Sequence, residues 1–386
     1  MLLPIVGLVA VSFFISCILT FAVIRIALRL GFIDQPGGRK THANPKPLGG
    51  GVAIFWAFAL PMIAALIFIP SFNTAADPEP WWVPYRGGFI RQIPLIGTFL
   101  STTLLLHVLG LLDDRKALGP YVKLFVQLLA AAAVVISFRD VRVLTALGSE
   151  VSIAVSILWI VAITNAFNFL DNMDGLSAGV AAVATTAFLV TTLLIGQWFV
   201  AGSLALLLGA LLGFLCFNFP PARIFMGDSG SLVIGFILGV LTVRTTFLAP
   251  GADWGAGWYA VFAPVMVLAV PLYDLVVVSL IRLSRGKSPF HGDTNHFSHR
   301  LVARGMSRRT AVLCIYLITA ATSVAAILLP QVRTTFAAML LFAQTLLVLG
   351  VVALLEQHPL RVGLGSATRD EELATEVAIP PEKPQW

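Results

Sequence analysis

Apolar stretches of about twenty residues, separated by short polar segments, recur along the chain at approximately 3–24, 49–70, 93–112, 120–137, 151–168, 176–195, 199–217, 230–248, 258–281, 310–329 and 334–355. A helix rising about 1.5 Å per residue needs about 20 mostly apolar residues to cross a hydrocarbon layer roughly 30 Å thick. Each run therefore predicts a spanning helix. The runs are too long for barrel strands and lack the period-two alternation of barrels. The expected fold is all-α: a polytopic membrane helix bundle of about 11 transmembrane spans. Residues 1–357 form one integral membrane domain, and 358–386, polar and Pro-containing without periodicity, read as a disordered cytoplasmic tail.

Composition sharpens this. With 58% hydrophobic and 11% charged residues and a mean hydropathy of +0.92, the chain lies far from soluble domains, where about 25% is charged. A water-soluble fold is excluded. The first run carries no basic residue over Met1–Val9 and no small-residue cleavage site after it, so it reads as a retained span. Cys17, Cys216 and Cys314 sit inside apolar runs without C-x-x-C spacing, which indicates neither a disulfide framework nor a zinc site.

A net charge of +6 is compatible with nucleic-acid binding, but its distribution records topology instead. With loops assigned alternately to two sides, one side collects thirteen bases (Arg39, Lys40, Lys46, Arg115, Lys116, Arg223, Arg282, Arg285, Lys287, Arg300, Arg304, Arg308 and Arg309), the other five (Arg86, Arg91, Arg139, Arg142 and Arg333). The positive-inside rule makes the first side cytoplasmic, with the N-terminus outside and the C-terminus inside. Trp81, Trp82 and Tyr85 suit an interfacial aromatic belt on the outer side.

Sorted this way, five polar loops fall on the cytoplasmic face: "DQPGGRKTHANPKPLGGG", "LLDDRKALGP", "NAFNFLDNMDG", "NFPPARIFMGDSGS" and "SRGKSPFHGDTNHFSHRLVARG". Acids at span ends are costly to desolvate without compensation, which makes them candidate sites. Asp113 and Asp114 are adjacent, so they point about 100° apart on a helix. They are either a solvated helix end with Arg115 and Lys116 as partners, or one acid faces the bundle as base or metal ligand while the other positions it. Asp171 and Asp174, like Asn165 and Asn168, are three apart and share a face if helical. Capping accounts for one or two of these residues but not for all of them. Asp228, Ser229 and Ser231 open a span, with Gly227 and Gly230 beside them. The stretch is a good helix cap, and equally a place where backbone N–H groups and a carboxylate meet phosphate and a divalent cation.

His291, Asp293, His296 and His299 precede the tenth span, with no Cys or Glu to complete a zinc set. With Arg300 and Arg304 adjacent they read as an anion-binding patch or a solvated basic loop. Lys123 snorkels by default from the fourth span. Asp274, eight residues before Arg282, lies about 12 Å inside the ninth and needs a partner that the sequence does not identify. Carboxylates from three loops without Cys specify a hard cation, with magnesium the common choice and manganese an alternative. Together with the Lys, Arg and His residues they describe a phosphate or pyrophosphate site, and phosphoryl transfer asks little more of a protein than this.

These residues resemble the polyprenyl-phosphate N-acetylhexosamine-1-phosphate transferases, to which the phospho-MurNAc-pentapeptide transferases are a sister group. The resemblance spans roughly 1–355. It rests on R-K-x-H…P-x-x-G-G (Arg39, Lys40, His42, Pro47, Gly50, Gly51), L-x-D-D (Asp113, Asp114), K-x-x-x-Q (Lys123, Gln127), N-A-F-N-x-x-D-x-x-D-G (Asn165 to Gly175), F-M-G-D-x-G-S (Phe225 to Ser231), P-x-x-D (Pro271, Asp274) and the His loop. It implies a membrane enzyme of the inner (cytoplasmic) membrane with its active site on the cytoplasmic face. The implied reaction takes a UDP-N-acetylhexosamine and undecaprenyl phosphate to a lipid diphospho-sugar and UMP, starting cell-envelope glycan assembly. GlcNAc is the sugar usual for non-pentapeptide members.

The resemblance implies Mg2+ on Asp228 and Asp113, Asp113, Asp114 and Lys123 as the catalytic group, and Asn165, Asn168, Asp171 and Asp174 shaping the nucleotide site. It further implies His296, His299 and Arg300 on the sugar phosphate, and Lys40 and His42 as further substrate contacts. The chain departs from the family pattern twice. Asn172 replaces the first Gly of D-G-x-D-G, and Ser298 the middle His of H-x-H-H. The alternatives are a pentapeptide-type transferase and a secondary transporter, though a transporter should carry its polar groups near the bilayer midplane. A homodimer is one option for the assembly.

Overall fold

The computed structural model describes residues 2–34, 45–71, 83–245, 247, 258–290 and 295–357. Thirteen α-helices run through them: α1 (Leu2–Leu30), α2 (Gly50–Ser71), α3 (Val83–Arg115), α4 (Pro120–Ser137), α5 (Ser149–Leu170), α6 (Leu176–Leu194), α7 (Trp198–Asn218), α8 (Asp228–Arg244), α9 (Ala263–Val267), α10 (Ala269–Ser284), α11 (Phe297–Ala303), α12 (Arg308–Leu328) and α13 (Thr335–Gln357). A two-residue antiparallel ribbon, β1 (Ile33–Asp34) with β2 (Lys46–Pro47), pairs Ile33 with Pro47 between α1 and α2. The apolar pattern did not foretell it.

Among the described residues nine helices are long and apolar enough to cross a membrane, ten if a bent pair counts as one span. The bent pair is the expected ninth run. It folds as a 3-10 turn (Trp258–Phe262) and α9, then turns by 71° into α10. Pro271, in the first turn of α10, has no N–H to give to the Val267 carbonyl and its ring crowds that carbonyl, which weakens the helical ladder at the bend. The expected eighth run is α8, only 17 residues long. It sits at the centre, with every residue from Ser229 to Val243 buried, packed against α2, α3 and α5.

In lipid the packing of apolar helices relies on close backbone approach and interhelical hydrogen bonds. Helix α1 meets α7 in this way. A β-carbon on Gly209 or Gly213 would stand 2.2 Å from Val9 O or 2.5 Å from Phe13 O. Ser12 donates to Leu206 O at 2.6 Å and Ser16 to Ala210 O at 2.7 Å. Helix α8 crosses α5 equally closely, with a β-carbon on Gly235 falling 2.6 Å from Thr164 Cα. These crossings bring the C-terminal ends of α3, α5, α7 and α10 and the N-terminal ends of α4, α8 and α11 to one end of the bundle, where the polar groups meet.

Candidate active site

Helix α4 begins at Pro120 after an extended Gly119, which places Lys123 in its first turn. Asp113 lies near the end of α3, and its Oδ1 accepts the Leu118 N–H at 2.7 Å, closing the α3–α4 link. Asp228 is the first residue of α8. Lys123 Nζ joins the two acids, 3.0 Å from Asp113 Oδ2 and 2.8 Å from Asp228 Oδ2. All three side chains keep 13–23% exposure, so the pair faces an opening rather than the sealed core.

Asp114 points the other way. Its Oδ1 accepts the Asp228 N–H at 2.7 Å and its Oδ2 the Ser229 N–H at 3.2 Å, capping α8 from a different helix. Gly227, at φ 74°, makes this possible, since a β-carbon there would fall 2.4 Å from Asp114 Oδ2. His107 braces the same turn: its Nδ1–H donates to Ser229 O at 3.0 Å while its ring stacks on Phe55 at 4.7 Å. Nothing in the sequence pointed to His107, which lies inside an apolar run.

From α5, Asn168 donates to Asp228 Oδ1 at 2.9 Å and to Ser231 Oγ at 3.0 Å. Asn165, one turn earlier, instead joins Gln127 Oε1 at 2.6 Å and ties α5 to α4. Asp171 is held well above the usual carboxylate range, first by burial, then by the charges of Asp228, Asp114 and Asp174. Asp174 Oδ2 accepts the Ala222 N–H at 2.9 Å, and Asn218 Oδ1 accepts the Gly175 N–H at 3.0 Å, so the turn after α5 is braced against the segment after α7.

The deep acid finds its partner here. Asp274 Oδ2 lies 2.8 Å from His296 Nδ1, and Oδ1 accepts the Phe297 N–H at 2.7 Å, capping α11. His296 is buried, its Nε2 facing Arg282 Nη2 at 3.4 Å. Arg300 pairs with Glu356 at 2.9 Å, and the Tyr273 hydroxyl donates to the same carboxylate at 3.1 Å. His299 is half-buried and more easily deprotonated than a free histidine, first through burial, then through His296 and Arg308. Lys40, His42, His291 and Asp293 lie outside the described residues.

The structure thus separates the expected site residues into two groups. Asp113, Asp114, Lys123, Asn168, Asp171 and Asp228 converge, while His296 and Arg300 are engaged by Asp274 and Glu356. No group of three or more His, Cys, Asp or Glu residues forms a metal cage among the described residues. Two carboxylates, Asp113 and Asp228, nevertheless share one lysine, with Asp114 on the backbone of the same turn. Magnesium is commonly held through one or two carboxylates plus substrate phosphates, and this donor set of hard oxygens with excess negative charge fits that mode.

Residues 96–246 match the family model described as Glycosyl transferase family 4. The chain is 33% identical over 347 residues, 86% of its own length and 88% of the relative's, to a Bacillus subtilis protein named "probable undecaprenyl-phosphate N-acetylglucosaminyl 1-phosphate transferase". It is 33% identical over 341 residues to the decaprenyl-phosphate N-acetylglucosaminephosphotransferase of Mycobacterium tuberculosis (82% of this chain, 79% of that one). Over 329 residues it is 27% identical to the undecaprenyl-phosphate alpha-N-acetylglucosaminyl 1-phosphate transferase of Escherichia coli (81% and 80%). The match covers the helices that carry the acid cluster, and the polar groups gather at one end of the bundle and not at its middle; the chain belongs to glycosyl transferase family 4.

Proposed function

We propose that this enzyme transfers N-acetylglucosamine-1-phosphate from UDP-GlcNAc to undecaprenyl phosphate, releasing UMP and opening a cell-envelope glycan pathway. The observation that carries the reading is Lys123 held between Asp113 and Asp228 in a chain whose relatives are named for this reaction. An oxygen of the lipid phosphate attacks the β-phosphorus of the donor. The bond from that phosphorus to the bridging oxygen breaks, and UMP leaves with the electron pair. Asp113 takes up or orients the proton of the lipid phosphate, and Lys123 holds Asp113 and Asp228 in place and balances the phosphate charge.

Asp114 keeps the start of α8 fixed, and Asn168 and Asp171 border the nucleotide. Mg2+, or Mn2+, would be held by Asp228 and Asp113 together with the donor pyrophosphate, and when bound it supplies charge neutralisation. Direct attack needs no covalent intermediate on an aspartate. The excess of basic residues in the loops that carry the site supports a cytoplasmic-facing active site in the inner membrane, with the N-terminus outside and the C-terminus inside. Counting α8 and the bent pair as spans gives the eleven of the sequence reading.

The test supplies purified protein with magnesium, polyprenyl phosphate and radiolabelled UDP-GlcNAc, and follows UMP release and label entering lipid. Failure to form a lipid-linked product with any UDP-sugar would overturn the reading.

A further inference from the structure

The two positions at which the motifs depart from the family pattern meet in space. Ser298 Oγ donates to Asn172 Oδ1 at 2.5 Å across 126 residues of sequence. Asn172 is held in turn, its Nδ2 donating to Phe169 O at 2.7 Å, and its backbone carbonyl lies beside the His299 ring. One side chain and its own backbone thus contact two successive residues of α11.

Helix α11 has only seven residues, too few to hold a helix alone, so its position depends on anchors. Asp274 caps its first turn, and Glu356 holds Arg300. Asn172 ties it to the turn that carries Asp171 and Asp174. Ser298 is 1% exposed, so its hydroxyl has no water to bond and losing the Asn172 acceptor strands it. A neutral His299 has one donor and one acceptor nitrogen; the Asn172 carbonyl beside the ring favours N–H on the side that faces it, so the other nitrogen is an acceptor, which suits a hydroxyl or amide N–H of a ligand better than a phosphate oxygen.

We propose that Asn172 and Ser298 are paired positioning residues that seat α11 on the turn after α5 and so set where His299 meets a hydroxyl or N–H group of the sugar-nucleotide donor. This rests on the transfer reaction proposed above.

The test compares full-length wild type with Ser298→Ala, Asn172→Ala, the double variant and Ser298→Thr. Amide hydrogen exchange over 296–303 is measured without substrates, and donor KM and kcat are measured in the UMP-release assay. Each alanine variant should speed exchange in α11 by about tenfold and raise donor KM by more than it lowers kcat. The double variant should match the worse single one, and Ser298→Thr, which keeps the hydroxyl, should restore both readouts. Unchanged exchange in the single variants, or effects that multiply in the double variant, would overturn the pairing. If wild type transfers nothing from any UDP-sugar, the reaction reading fails while the exchange measurement still decides the pairing.

Discussion

The Asp114 carboxylate accepts the backbone N–H of Asp228 at 2.7 Å, so the acid at the end of one helix fixes the first residue of another. Its neighbour Asp113 faces the opposite way, to Lys123. Two adjacent aspartates thus hold different roles because a helix turns about 100° between them: Asp114 acts through α8, and Asp113 meets the opening.

Replacing Asp114 by alanine should therefore act first on the fold. Two backbone N–H groups at the start of α8 lose their acceptor, at a cost of about 1–3 kcal/mol each. The thermal transition of the detergent-solubilised protein should fall, and transfer with it. Asp114→Asn retains one oxygen acceptor and should recover part of both.

Lys123→Met removes the cation between two carboxylates and leaves their charges facing each other. Transfer should fall by about 100-fold or more, read as initial UMP release, with the helix content by circular dichroism unchanged.

Asp228→Asn keeps the shape of the side chain and its contact with Asn168 while weakening a metal ligand. We expect loss of magnesium-dependent turnover in a protein that still folds, and arrest of the wild type by EDTA with recovery on added Mg2+. Near-wild-type turnover in Asp228→Asn would refute the metal assignment.

His299 should leave a mark on the pH dependence of stability. Burial, with His296 and Arg308 nearby and Asp274 opposing them, lowers its folded pKa below the ordinary 6.5. The unfolded chain then binds the proton more readily than the folded one. The stability contributed is present above pH 6.5 and lost as pH falls through the lowered folded value. His299→Gln should flatten the loss of stability of the wild type below pH 6.5, measured by denaturant unfolding of the detergent-solubilised protein.

The apolar pattern was enough for the membrane bundle, since each spanning helix is a local run whose length and hydropathy need no partner. It was also enough to mark "DD", "NAFN", "GDSG" and the histidine loop as candidates, because acids and amides at span ends stand out against an apolar chain, but not to separate the histidine loop from the acid cluster. It did not show the 71° turn at Leu268, since prolines elsewhere in the chain, Pro61 and Pro94, lie inside unbroken helices. Nor did it show that Asp274 serves α11, or that Arg300 is bound by Glu356 from the last helix.

By itself the sequence determined an all-α membrane protein and its family and marked the candidate residues of its chemistry, because these depend on composition and on motifs within one segment. Only the tertiary structure decided which acid meets which base. Lys123 and Asp228 are 105 residues apart, and Asn172 and Ser298 are 126 apart. The physical reason is that a hydrogen-bond partner is set by where helices cross, and the crossings here depend on glycine contacts between distant backbones that no local pattern records.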